Sequence, residues 1–316
     1  MMLAITLVAG LALLLVGGDL LVRGAVGVAQ RLGLSPMVIG LTLVGFGTST
    51  PELLTSLQGA LAGAPGIAVG NVIGSNIANI LLILGVAALI RPVAVERAGF
   101  ARDAGVLALA TVAAIALCLA GGVGRLAGAL LLAGLAAYLV AALRFSGPAP
   151  AAVYAGEADL APAPPRRLAL TLGLFAGGLV LVLGGARLLV DGAVALAAAA
   201  GLSETVIGLT IVAVGTSLPE LVTSASAALR GESAVAFGNV VGSNIFNILG
   251  ILGATALAVP LTVPPEVAAR DVWALAAATA LFVAVAMTGW RVTRVEGGVL
   301  VALFAGYMAL LVFAAP

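Results

Sequence analysis

Two glutamates stand where an apolar chain should have none. Glu52 and Glu220 lie in GFGTSTPELLTS and AVGTSLPELVTS, far from any polar loop, and each directly follows a proline, Pro51 or Pro219. A carboxylate at membrane depth costs several kcal/mol unless it is paired, protonated or bound to a cation, so such residues mark ion or proton pathways. Proline removes a backbone donor and clashes with the preceding turn, so each helix must kink or unwind there. Unwinding frees carbonyl oxygens near Thr48 and Thr216, and the hydroxyls of Thr48, Ser49, Thr216 and Ser217 fall one turn before the glutamates. Oxygen donors of this kind suit hard cations.

A second element follows each glutamate: GNVIGSNIANI from Gly70 to Ile80, and GNVVGSNIFNI from Gly238 to Ile248. Ser75 and Asn79, like Ser243 and Asn247, are four apart and share one helix face. Structural readings exist for all of these. Glu52 and Glu220 could be neutral, hydrogen-bonded groups; the hydroxyls could repair backbone at the kinks; the serines and asparagines could be interhelical glue. For Gly70/Gly74 and Gly238/Gly242, small-xxx-small pairs, close helix packing is the expected role. Duplication of the glutamates at two broken-helix positions favours ion binding, with two carboxylates to neutralise one divalent cation.

These residues must be carried by membrane helices. Hydrophobic residues make up 63% of the 316 positions and charged residues 9%, with a mean hydropathy of +1.27, outside the range of soluble domains. A bilayer core about 30 Å thick takes roughly 20 apolar residues per spanning helix, and such segments follow one another from Leu3 almost to Pro316. Period-two alternation is missing, which argues for helices over a barrel. The expected helices are 3–28, 37–61, 66–90, 104–120 and 125–144, then 168–196, 205–229, 234–258, 271–289 and 294–314. The first reads as a spanning helix, since no positive charge precedes its apolar run and no small-residue cleavage site ends it.

The chain repeats itself at an offset of 168. Gly40 matches Gly208, Glu52 matches Glu220 and Asn79 matches Asn247; over 40–85 against 208–253, 29 of 46 residues are identical. This predicts an all-α integral membrane fold of ten transmembrane helices, with repeats at 1–145 and 167–316. An odd number of spans per repeat leaves the second copy inverted relative to the first. Between them, 146–166 (SGPAPAAVYAGEADLAPAPPR) reads as a flexible cytoplasmic linker. With the N-terminus outside, inner loops and helix ends hold Arg23, Arg31, Arg91, Arg97, Arg102, Arg144, Arg166, Arg167, Arg230, Arg291 and Arg294. Only Arg125 and Arg270 then lie outside, with Arg187 unassigned. That asymmetry predicts both termini on the extracellular or periplasmic face of the cell (inner) membrane.

Composition excludes other classes. Net charge is +1 and all fourteen basic residues are arginine, which gives no surface for nucleic acid or a charged protein partner. One cysteine, Cys118, allows neither a disulfide framework nor a cysteine cluster within the chain, and reads as packing. Without histidine, a His-ligated zinc protease and a Ser-His dyad are impossible, and no aspartate pair at matched depth supports aspartyl chemistry. No enzyme and no cofactor are expected. Asp19/Arg23 and Arg187/Asp191, each spaced i, i+4 in opposite order, read as salt bridges within the long outer helices.

The paired GTSxPE and GNxxGSNxxN segments resemble the two alpha-repeats of the calcium/cation antiporter superfamily, specifically its prokaryotic sodium/calcium exchanger-like members. The resemblance covers both halves. It implies Glu52 and Glu220 as central calcium ligands, helped by the carbonyls of Thr48 and Thr216. It implies further that Ser49, Ser75, Ser217 and Ser243, with the carbonyls of Gly45 and Ala213, line sodium sites, while Asn79 and Asn247 face the middle of the cavity. Transported Ca²⁺ and Na⁺ are the expected substrates, in antiport. Some relatives, including potassium-dependent exchangers, place aspartate where this chain has Asn247. Proton-coupled relatives carry another glutamate after the GN pair, where this chain has GNVIGSN and GNVVGSN; this favours sodium as the driving ion. A proton-driven exchanger, a potassium-dependent one and, less well matched to broken repeats, a passive channel are the alternatives. The resemblance also suggests that the outer helices 3–28 and 168–196 slide against the other eight.

Overall fold

A computed structural model describes residues 2–145, 167–199 and 213–313. The expected linker at 146–166 lies outside the described residues, as do 200–212, which include the start of the helix expected at 205–229.

Apolar runs with no partner but lipid for their backbone close their hydrogen bonds along the chain, and the described residues are helical almost throughout. The first half holds α1 (Met2–Leu32), α2 (Pro36–Ile39), a π-helical turn (Gly40–Val44), α3 (Gly45–Thr48) and α4 (Thr50–Leu61). It continues with α5 (Pro65–Ala78), a π turn (Asn79–Ile83), α6 (Leu84–Ile90), α7 (Arg97–Leu119) and α8 (Arg125–Phe145). The second holds α9 (Leu168–Ala199), α10 (Ala213–Gly215), α11 (Leu218–Arg230), α12 (Ser233–Ile245), a π turn (Phe246–Leu252) and α13 (Gly253–Ala258). A further π turn (Val267–Asp271) leads into α14 (Val272–Met287), and α15 (Arg294–Phe313) follows. Eight described helices are long and apolar enough to cross a membrane, and Pro36–Thr48 with Thr50–Leu61 forms a ninth, bent by 44°. This is a multi-pass, all-α membrane protein.

Two helices begin earlier than their charges suggest. Arg97 to Asp103 and Arg270 fall before the helices expected at 104–120 and 271–289, yet α7 starts at Arg97 and the helix before α14 at Val267. The charges are tolerated because they neutralise each other: Arg102 Nε lies 2.7 Å from Asp103 Oδ1, and Arg270 Nε 2.7 Å from Asp271 Oδ1. The Tyr138 and Tyr307 hydroxyls add a donor to each aspartate at 3.2 Å.

Two short antiparallel ladders were not expected. β1 (Val93–Ala94) pairs with β4 (Arg291–Val292), and β2 (Gly122–Val123) with β3 (Leu261–Thr262). Because α7 separates β1 from β2, the ladders sit at opposite ends of that helix. Each ties a loop of one half to a loop of the other.

Helices α1 and α9 form a layer of their own. Neither contributes a residue to the main hydrophobic cluster, which is built from the remaining helices. Their mutual contact is a seam of glycines seven apart, Gly10, Gly17 and Gly24 on α1 and Gly178, Gly185 and Gly192 on α9, the second set 168 residues after the first. A Cβ on Gly17 would sit 2.7 Å from Val182 N, and one on Gly185 2.8 Å from Leu14 N; Gly24 meets Phe175 and Gly178 meets Leu21 in the same way. The partners run in opposite directions, so the helices are antiparallel with backbones in direct contact. Smaller clusters join this pair to the rest, one of them Leu14, Val182 and Ala186 packed against Leu218 and Val222 of α11.

The expected bridge between Asp19 and Arg23 is present at 2.9 Å, while that between Arg187 and Asp191 is long, 3.9 Å, and more exposed. Asp19 has a second partner that the sequence did not suggest, Arg230 at the end of α11.

A methyl group in the seam must push two backbones apart, whereas Gly177, one residue away, has no described neighbour within 4 Å of a Cβ. Gly178→Ala is therefore expected to lower stability by about 1–3 kcal/mol, read as a drop in unfolding temperature in detergent, with Gly177→Ala unchanged. Equal effects from the two variants would rule out the seam.

Candidate cation site

The two glutamates emerge from helix breaks of the same geometry. Between α3 and α4 the chain bends at Ser49 (φ −81°, ψ 11°), and before α11 it does so at Ser217 (φ −87°, ψ 7°). Pro51 and Pro219 occupy the first positions after the break, where a missing N–H costs nothing. Glu52 and Glu220 thus fall in the first turn of α4 and α11, where the positive end of the helix dipole favours a carboxylate. Not every freed carbonyl stays free: the Thr50 hydroxyl donates to Gly47 O at 2.8 Å. Thr48 likewise back-bonds to Val44 O at 3.0 Å, in line with the backbone-repair reading of that hydroxyl.

What the breaks do next crosses between the halves. Ser49 Oγ donates to Glu220 Oε1 at 2.7 Å, and Ser217 Oγ donates to Glu52 Oε1 at 3.1 Å. Each carboxylate is therefore held by the hydroxyl that precedes the other. Both glutamates are 1% exposed, and on each the second oxygen, Oε2, has no hydrogen-bond partner in the protein. Thr216 and Thr48 also reach Glu52 and Glu220 respectively with their side chains. A third crossing joins Ser243 Oγ to Gly45 O at 3.3 Å.

The GN segments supply a layer behind the carboxylates. Asn71 Nδ2 donates to Glu52 O at 3.0 Å and Ser56 Oγ at 2.9 Å; Asn239 Nδ2 donates to Glu220 O at 3.2 Å and Ser224 Oγ at 2.9 Å. Sequence reasoning passed over Asn71, Asn239, Ser56 and Ser224. The available signal was their polarity at duplicated positions in an apolar helix.

Of the residues singled out in the sequence, Glu52, Glu220, Ser49, Ser217, Thr48, Thr216, Gly45 and Ser243 are brought together by these contacts. Asn79 and Asn247 are 1% exposed, Asn79 beginning one π turn and Asn247 lying within another, and neither amide atom of either has a partner. Ser75 and Thr216 line a cavity of about 660 Å³ between α5, the start of α14 and α15. Ala213 opens α10; its side chain lies outside the description.

The glycine pairs divide. Gly238 and Gly242 pack on the backbone of Met37 to Leu41, a Cβ on Gly238 falling 2.6 Å from Met37 O. Gly70 and Gly74 have no described neighbour that close and line the cavity instead. The repeat mates of Met37 to Leu41, residues 205–209, lie outside the described residues.

Two like charges in one buried site repel each other, so a buried carboxylate pair needs a counter-charge or a proton. Carboxylate, hydroxyl, amide and carbonyl oxygens form the donor set of a hard cation. No group of three or more His, Cys, Asp or Glu exists among the described residues, which is the pattern a thiolate or imidazole centre would need.

Comparison with known proteins gives one answer throughout. A family profile described as "Sodium/calcium exchanger protein" matches residues 2–144 and 170–313. CaxA, a provisionally named antiporter of Alkalimonas amylolytica, is 41% identical over 308 residues, 96% of each chain. The inner membrane protein YrbG of Escherichia coli is 36% identical over 313 residues, 96% of this chain and 94% of its own. A solved structure of the sodium-calcium exchanger NCX_Mj superposes with a TM-score of 0.83 at 34% identity, covering 98% of both chains.

Since each crossing hydroxyl bonds a buried carboxylate, its loss should cost about 1.5–3 kcal/mol of site organisation. Ser49→Ala and Ser217→Ala are expected to weaken cation binding to the purified protein by matched factors of about 10- to 150-fold, measured by titration calorimetry with CaCl₂ as the probe. Affinities left at the wild-type value in both would remove the crossing from the site.

Proposed function

The chain belongs to the sodium/calcium exchanger family, a family of transporters and not of enzymes, and we propose that it is a secondary active antiporter exchanging Na⁺ for Ca²⁺. The observation that carries this reading is the reciprocal pair of hydrogen bonds, Ser49 to Glu220 and Ser217 to Glu52, which joins two buried carboxylates at one place. A divalent ion would neutralise the pair; sodium ions would share the same oxygens together with Ser75, Ser243, Gly45 and Ala213, with Asn79 and Asn247 at the centre. Because the ligands overlap, the ions compete, and the loaded protein changes the side it faces. Sodium moving inward then expels calcium.

The proposed architecture is two inverted five-helix repeats, 1–145 and 167–316, joined by a cytoplasmic linker at 146–166. The ladders support inversion. β3 follows β1 by 168 residues, so the two are repeat mates, yet they sit at opposite ends of α7. Thr111 and Thr279, also 168 apart, bond each other through their hydroxyls at 3.2 Å, as residues beside a two-fold axis would. With arginines inside, both termini face the outside of the cell (inner) membrane. The glycine seam makes α1 and α9 one body, and its separation from the main cluster favours its sliding against the remaining helices during alternating access.

A proton-driven or potassium-dependent exchanger is separated by experiment. In proteoliposomes, an imposed Na⁺ gradient is expected to drive Ca²⁺ uptake, while H⁺ or K⁺ gradients alone leave it at background. Uptake that follows the pH gradient without sodium would overturn the sodium assignment. Glu52→Gln and Glu220→Gln are each expected to abolish that uptake; near-normal flux in either variant refutes the shared site. A covalent cross-link between α1 and the core should also stop exchange, and undiminished turnover would dismiss the sliding step.

A further inference from the structure

Asn239 hydrogen-bonds both glutamate-bearing segments. From α12 its Nδ2 donates to the main-chain oxygen of Glu220 at 3.2 Å and to Ser224 Oγ at 2.9 Å. Its Oδ1 accepts from Thr48 Oγ1 at 3.2 Å, at the break in the other half. The orientation of this amide is fixed by chemistry: a carbonyl can only accept, so the nitrogen must face Glu220 O and the oxygen Thr48. Asn239, Ser224 and Thr48 are all fully buried.

We propose that Asn239 is a positioning residue for cation exchange, setting the rotation of α11 and hence the direction of the Glu220 carboxylate, with Asn71 doing the same for α4 and Glu52. This deepens the cation-site reading above and rests on it. Glu220 and Ser224 are four apart, so one amide spans a full turn of α11 and meets both acceptors at only one rotation of that helix. The same amide, with the same two acceptor types, spans Glu52 and Ser56 in the first half. Duplication of a donor pair that ends on a helix's own main-chain and serine oxygens, and not on the carboxylates, is the mark of a support that holds carboxylates in place. Asn239 is also bonded to Thr48, whose single proton has three acceptors in reach besides the Glu220 carboxylate: Val44 O, Gly45 O and Asn239 Oδ1 at 3.0, 3.3 and 3.2 Å. A movement of the first break is thereby passed to the carboxylate of the second half.

The test separates positioning from plain stability. Asn239→Asp keeps the volume but loses the N–H donors, and Asn71→Asp is its counterpart. In each, the apparent KM for Ca²⁺ in sodium-driven exchange should rise about tenfold or more, while the maximal rate stays within about twofold. Ser224→Ala removes one acceptor without touching the glutamate or the asparagine, and should raise KM by about threefold; it serves if the aspartate variants do not fold. Thr48→Val combined with Asn239→Asp should deviate from additivity, since the two groups share a bond. A KM within twofold of wild type for Ser224→Ala and for whichever aspartate variants fold would overturn the positioning role. A fall in maximal rate with KM unchanged would do so too, because that is the result of general destabilisation. If the wild-type protein fails to bind Ca²⁺ in a CaCl₂ titration, the cation-site reading itself is wrong, an outcome distinct from either of these.

Discussion

Everything in this structure answers to one electrostatic constraint: two carboxylates share a buried interior, and each takes a hydrogen bond from a hydroxyl that belongs to the other half. Neither half can complete its own site, since Glu52 takes its bond from Ser217 and Glu220 from Ser49. Docking of the halves and assembly of the site are therefore the same event. The remaining carboxylate oxygens stay without protein partners, and a buried polar group left so costs about 1–3 kcal/mol, more when charged. That cost is the natural driving term for taking up a cation.

The large features were legible in the sequence because the background is so plain. Against long runs of Ala, Leu, Val and Gly, a glutamate, a proline or an asparagine at offset 168 stands out, and the broken helices and the GN helices follow from local rules alone. What could not be read was which atom of one half meets which atom of the other. Periodicity places Ser49 one turn before Glu52 and invites pairing within the helix; the structure turns that hydroxyl to Glu220 instead. Asn71 and Asn239 were missed for the same reason, since their partners are main-chain atoms of a neighbouring helix, which no residue pattern announces. Charges misled at the helix starts, where Arg102 and Asp103 fall before the helix expected at 104–120, yet their mutual neutralisation lets α7 begin at Arg97.

The glycine seam shows the opposite case, a pattern present in the sequence and not used. Gly10, Gly17 and Gly24 recur seven apart and again 168 residues on, yet in a chain with 42 glycines the repeat is hard to tell from composition. Only the approach of two backbones gives the spacing its meaning. The seam stacks glycines every two turns along one stripe of each helix, and removing side chains there converts two helices into a single smooth slab.

Departures from symmetry bear on direction. A chain with two identical inverted halves would have two equal-energy conformations, one open to each side, and a transporter built that way would have no preferred resting state. Asp19 breaks the tie. Its repeat mate is Arg187, Arg23 answers to Asp191, and Arg230, which reaches Asp19 from the end of α11, has Ala62 as its mate. The ionic contact that ties the slab to the core thus has no counterpart between the repeat mates, Arg187 and Ala62. A few kcal/mol separating two conformations is enough to make one of them a minor species. Contacts of this size, located away from the carboxylates, can set the resting side without changing what the site binds.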